Sequence, residues 1–304
     1  MNVFIAARVA ALLGISLPSA TGAGPGADAS MRGAAPTEAA EVPRHRKAPV
    51  DLVWMVGPPS DAAPKGPAPD NTAALRKRGV ALFKRNCASC HGTWGDGRGP
   101  AAATLTVPTP DFTKGIFKLR STPSGTLPTP ADLYVTISRG MHGTEMFPWA
   151  RFSEDERWAL VYRIMSFSPR FRSEEPGKPF GMPAETPPVT EALVAKGQSL
   201  YARHRCGACH GPEGGADGPA AALYQQTGTE RPVRIRDFKK GQFLRGERME
   251  DIFLTLQTGL DGTPMGPYDV LSVPELWALA AYVKSLVQQR PLIEAPAWGD
   301  RAPR

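Results

Sequence analysis

Cysteine is scarce in this chain: 304 residues hold four, at positions 87, 90, 206 and 209. That number is too small for a disulfide-stapled scaffold. Aromatic residues are sparse as well, at 8%. Beyond the amino terminus no apolar run reaches the roughly 20 residues that span a bilayer, so no transmembrane span is expected after a leader is removed. Convincing period-two alternation is also missing, and an all-α fold is the expectation. A surplus of acid is missing too: 36 Lys and Arg stand against 29 Asp and Glu. What the chain has in quantity is proline (32) and glycine (31).

The ends read as appendages. Residues 1–23 combine Arg8, a mostly apolar stretch from Val9 to Leu17 and small residues up to Ala23, the pattern of a secretory signal peptide. Residues 24–71 form a Pro/Ala/Gly-rich extension, a composition that buries too little surface to offset the entropy of ordering it. Its one apolar patch, Leu52 to Val56, reads either as a docking segment or as cover for a neighbouring domain. Residues 289–304 form a Pro/Ala-rich tail.

All four cysteines fall in two copies of one pattern, Cys87-Ala88-Ser89-Cys90-His91 and Cys206-Gly207-Ala208-Cys209-His210, each followed by Gly. Two thiols three positions apart with an imidazole directly after them attach c-type haem: each sulfur adds to a vinyl group, and the histidine reaches the iron. The competing reading of a lone copy is a zinc half-site or a redox dithiol. Repetition weakens that reading, because a four-Cys zinc site would leave two matched histidines without a role. Two covalently bound haem c groups are expected, with His91 and His210 as metal ligands.

The repeat extends well beyond these motifs. Cys87 and Cys206, Gly99-Pro100 and Gly218-Pro219, Asp132 and Asp251, Gly140 and Gly259, Met146 and Met265, and Trp158 and Trp277 are each 119 positions apart. Asp111-Phe112 and Asp237-Phe238 are 126 apart, so the second copy gains seven residues near Leu223–Arg236 and loses seven before Asp251. Two tandem domains, 72–168 and 190–288, follow, joined by a linker at 169–189 that is rich in proline. In each, a helix (Ala73–Arg85 or Glu191–His204) runs into the motif and a Gly/Pro-punctuated loop follows. A short helix comes next (Ala131–Arg139 or Met249–Thr258). The last helix opens on a capping box, Ser153 with Glu156 or Ser272 with Glu275.

A second axial ligand decides between electron transfer and chemistry. Both copies place a Gly-Thr-x-Met turn so that its methionine lies 55 positions after the histidine. A thioether is a soft, neutral ligand that raises the potential of haem iron, so Met146 and Met265 complete the metal ligands. Met141 and His142 compete only in the first copy, since the second has Leu260 and Asp261 there.

On these motifs the chain resembles the class I c-type cytochromes, in tandem as a dihaem cytochrome c, over about 72–167 and 190–286. The resemblance implies that first and last helices cross at Gly79/Phe83 with Trp158 and at Gly197/Tyr201 with Trp277. It also implies that the carbonyl of Pro100 or Pro219 accepts the N–H of the proximal imidazole, which adds both prolines to the cofactor-binding set of Cys87, Cys90, His91, Met146, Cys206, Cys209, His210 and Met265. The Asp-Phe-x-Lys-Gly loops lie outside the minimal family pattern; their lysines, with Arg120 and Arg245, are read either as facing the haem propionates or as solvated.

The implied function is a periplasmic dihaem electron-transfer protein, not an enzyme, with no catalytic residue. It would pass single electrons from a dehydrogenase or quinol-oxidising complex to an oxidase or reductase, as carrier or as respiratory-complex subunit. The alternative is a dihaem peroxidase, which needs an open iron position and an acid/base group. Lys and Arg outnumber Asp and Glu by 13 to 7 in residues 72–168 but only match them, 11 to 11, in residues 190–288. An exported haem protein has no use for nucleic acid, so the charge reads either as a docking field for an acidic redox partner on domain one or as an aid to solubility.

Overall fold

A computed structural model describes residues 63–226 and 233–288. The expected signal peptide, the Leu52–Val56 patch and the carboxy-terminal tail lie outside those residues. Every regular element among the described residues is helical: ten α-helices and three single 3₁₀ turns, with no strand.

The first repeat begins with α1 (Ala73–Asn86), whose capping residue Thr72 accepts a hydrogen bond from Leu75 N. The chain then breaks at Cys87 and re-forms as a single turn, α2 (Ala88–His91), carrying the motif. A capping box of Thr129 and Asp132 starts α3 (Pro130–Arg139), with proline at its first position. The Ser153/Glu156 box starts α4 (Glu154–Met165). One further turn, α5 (Arg170–Ser173), opens the linker.

The second repeat follows the same order: α6 (Glu191–Arg203), α7 (Gly207–His210), α8 (Pro219–Gln226), α9 (Met249–Thr258) and α10 (Val273–Ser285). Helix α8 was not expected from sequence; it lies at the edge of the second repeat's extra residues.

Gly79 and Gly197 explain how the first and last helices of each repeat meet. A Cβ on Gly79 would lie 2.2 Å from Ala159 O, and one on Gly197 2.0 Å from Ala278 O, so only hydrogen fits at each crossing. The neighbouring tryptophans pack the other way, against the short helix: Trp158 on Tyr134 with ring centroids 4.8 Å apart, Trp277 on Phe253 at 4.3 Å. Each repeat thereby closes its own core, around Leu82, Tyr134, Ile137 and Trp158 in one and Leu200, Phe253, Leu256 and Trp277 in the other.

The linker is held along its length rather than hanging free. Arg170 donates to the carbonyls of Gly115 and Gly125, Phe180 N donates to Ser121 O, and Thr186 bonds to Glu250 of the second repeat. The end of the amino-terminal extension is likewise docked, with Pro69 O accepting from Tyr162 and Lys65 N donating to Glu154.

Candidate haem sites

The two motifs fold alike because backbone sterics leave few alternatives. Gly92 and Gly211, directly after each histidine, have φ of 76° and 81°, a region L side chains rarely adopt. Gly99 and Gly218 lie against the motif turn itself; a Cβ there would come within 2.3 Å of Ser89 O or 2.4 Å of Ala208 O. The repeated Gly-Pro pair is thus explained by its glycine.

Its proline does not do what the resemblance implied. Pro100 and Pro219 are exposed, Pro219 as the first residue of α8. The carbonyl facing His210 Nδ1, at 3.3 Å, is that of Arg236, carried by the following loop. His91 Nδ1 is buried without a hydrogen bond. At His210 the facing carbonyl is thus that of Arg236 rather than Pro219, and at His91 no hydrogen bond joins Nδ1 to Pro100.

The methionine turns are preformed. In the first copy Met141 N donates to Met146 O, Thr144 Oγ1 to Met141 O, and Met146 N to Thr144 Oγ1. Leu260, Thr263 and Met265 repeat the same three bonds in the second. Gly140 and Gly259, both at φ 67°, begin the turns; a Cβ at either would collide with the turn's own far end. Of the competing ligands, His142 is exposed, with its backbone N bonded to Leu244 O.

All eight expected donors line one cavity of about 520 Å³: Cys87, Cys90, His91 and Met146 from the first repeat, Cys206, Cys209, His210 and Met265 from the second. Its other walls are largely apolar, among them Phe83, Leu133, Ile137, Leu160, Ile252 and Leu256. Protein interiors pack as densely as organic crystals, so an apolar space of this size built around thiols, imidazoles and thioethers is a binding site.

Electrostatics fit haem better than the alternatives. Burial, with Cys90 nearby, pushes the Cys87 thiol up to about 12, and burial raises Cys206 as well. A redox dithiol needs a reactive thiolate, which this environment opposes. Burial also pushes His91 down to about 4 and lowers His210, which keeps both imidazoles neutral and able to ligate. Among the described residues no group of three or more His, Cys, Asp or Glu side chains is placed to hold a metal ion by itself.

Two features escaped the sequence reading. The Asp-Phe-x-Lys-Gly loops do not send their lysines to the cavity: Lys114 lies 3.9 Å from Asp111, Lys240 3.1 Å from Asp237, and Lys239 2.9 Å from Glu213. Their phenylalanines stack on the histidines instead, Phe112 on His91 and Phe238 on His210.

Arg120 and Arg245, for their part, are not solvated. Arg120 is fully buried and crosses between the repeats, donating to Thr258 O at 2.7 Å and pairing with Asp261 at 2.8 Å, while Arg245 donates to Arg120 O at 2.7 Å. Burial pulls the Arg245 guanidinium down to about 10 against the attraction of Asp132 and Asp251. The signal was the paired Leu119-Arg120 and Leu244-Arg245.

Comparison with known proteins agrees with this geometry. The family model described as Cytochrome c matches twice, over residues 76–168 and 194–287. Among solved structures the chain is similar to one in a reducing HAO-like protein complex from Kuenenia stuttgartiensis, at 37% identity and a TM-score of 0.67, covering 70% of this chain and 96% of that one. No curated protein matches it. Two matches to one family model, laid over two copies of a single haem-attachment motif in an all-helical fold, make this chain a member of the cytochrome c family, with covalently bound haem c and a role in electron transfer.

Proposed function

We propose that the chain is a periplasmic dihaem electron-transfer protein. One haem c is held in domain 72–168 by Cys87, Cys90, His91 and Met146, the other in domain 190–288 by Cys206, Cys209, His210 and Met265. The observation that carries this reading is the single cavity lined by both donor sets, each with the same thiol, imidazole and thioether chemistry.

Bound haem supplies a one-electron ferric/ferrous couple. The chain's own groups do the rest: sulfurs anchor, imidazole and thioether saturate the metal, and apolar walls exclude water. Equivalent methionine turns in both copies disfavour the peroxidase alternative, which needs one metal centre with an open position.

The donor is read as a dehydrogenase or quinol-oxidising complex and the acceptor as an oxidase or reductase. That the similar Kuenenia stuttgartiensis chain belongs to a reducing HAO-like protein complex favours the fixed-subunit form of this reading over a freely diffusing carrier. The basic first domain is the docking side for an acidic partner surface.

The test is purification from the native source under mild conditions, followed by reductive titration. Retention with a larger redox complex, uptake of two electrons per chain, and partner reduction rates that fall with salt are expected. A chain that takes up one electron, or that turns over peroxide by itself, would overturn the reading.

A further inference from the structure

An imidazole joined to a metal through Nε2 keeps one easy motion, rotation about that bond, and the rotational setting fixes which metal orbital the ring overlaps. In both repeats a phenyl ring lies nearly parallel on one face of the histidine, at 4.8 Å and 18° for Phe112 on His91, and at 4.3 Å and 21° for Phe238 on His210. At such separations a turn of the imidazole drives its edge into the phenyl face.

The phenyl rings are themselves fixed. Each begins a one-turn 3₁₀ helix, Phe112–Lys114 or Phe238–Lys240, capped by the preceding aspartate and closed by a glycine at φ 63°. Phe112 N donates to Gly95 O and Phe238 N to Gly214 O, both at 2.7 Å, tying the loop back to the segment just after the motif. Behind them stack Phe117, at 5.8 Å, and Phe243, at 5.5 Å. Two copies built this way make chance contact a poor explanation.

The two histidines differ in what else restrains them. His210 Nδ1 has the Arg236 carbonyl at 3.3 Å, supplied by the residue two before Phe238, so one loop delivers both hydrogen bond and ring. His91 Nδ1 has no such bond, which leaves the phenyl face as its main restraint.

We propose that Phe112 and Phe238 are positioning residues that set the rotation of the His91 and His210 imidazoles about their bonds to iron, and that His91 depends on its phenylalanine more than His210 does. The inference rests on the reading of these histidines as haem ligands.

Proton magnetic resonance of the ferric holoprotein tests it, because the order and spread of the shifted haem-methyl signals follow the plane of the axial imidazole. Phe112→Leu, nearly isosteric in the core, is expected to reorder or compress the methyl set of the first haem and leave the second unchanged. Phe238→Leu is expected to move the second set by less, and Phe112→Tyr, which retains the ring, to keep the wild-type order. Phe112→Met serves where Phe112→Leu fails to take up haem.

Methyl signals indifferent to the leucine or methionine variants would overturn the proposal, and equal responses at the two sites would overturn the ranking. A wild-type protein lacking the far-red absorption of methionine-ligated ferric haem would instead sink the ligand assignment on which the proposal stands.

Discussion

Single atoms decide much of this fold. Glycine at 79 and 197 lets two helix backbones touch, and Gly197→Val is expected to force α6 and α10 apart, lowering stability by about 1–3 kcal/mol or more, as overpacking does. Urea unfolding of the holoprotein checks it; an unchanged midpoint would mean the crossing is looser than the 2.0 Å approach requires. These glycines were legible in sequence because they repeat. The cysteine, histidine and methionine positions were legible for the same reason, and all eight line the cavity.

What was not legible at this scale is which atom faces an imidazole. Pro219 and Arg236 both follow His210 in loop sequence, and only the folded loop shows that the Arg236 carbonyl arrives there while Pro219 starts a helix.

At the level of elements, the helix starts were written in the chain. Thr72, Ser153 and Thr190 cap their helices because their side-chain oxygens accept from backbone N–H groups that the helix leaves without partners, while at Ser272 the Glu275 carboxylate accepts from the serine's backbone N and hydroxyl. Ser153→Ala removes the acceptor for Glu156 N and is expected to cost about 1 kcal/mol. Thermal unfolding would register it as a drop of a few degrees, and no drop would mean that α4 is held by packing alone.

Helix ends were harder to read. The first helix was expected to run straight into each motif, yet Cys87 and Arg205 break it; Arg205 has φ 55°, a strained setting for a side chain of its size, and no local signal marks it. Periodicity likewise gave no warning that the Asp-Phe-x-Lys-Gly loops would carry a ring to each histidine, since a one-turn 3₁₀ helix is too short to have a period.

On the scale of the whole molecule, the repeats are joined by polar bonds between residues far apart in the chain. The segment Ser121–Pro128, where the second repeat is shorter, wraps Asp261: Ser124 Oγ and Gly125 N donate to it at 2.7 and 2.9 Å, beside the fully buried Arg120. The equivalent position in the first repeat is His142, so the join is asymmetric although the folds match. Long-range partners of this kind, 137 positions apart for Ser124 and Asp261, leave no trace in periodicity or composition.

Asp261→Leu strands a buried guanidinium and is expected to destabilise by about 3–5 kcal/mol, with much of that recovered in the double variant Arg120→Met/Asp261→Leu. Denaturant midpoints of the wild type, Asp261→Leu, Arg120→Met and the double variant form the check; additive losses would show that the two residues act independently.

The claim beneath all of this is that both metal centres are saturated by the protein, each between one imidazole and one thioether. Carbon monoxide titration of the reduced holoprotein, followed in the visible spectrum, tests it most directly. Neither centre in the wild-type protein should take up the gas, while Met146→Ala and Met265→Ala should each open one centre and leave the other closed. Ready uptake at either wild-type centre would contradict the account.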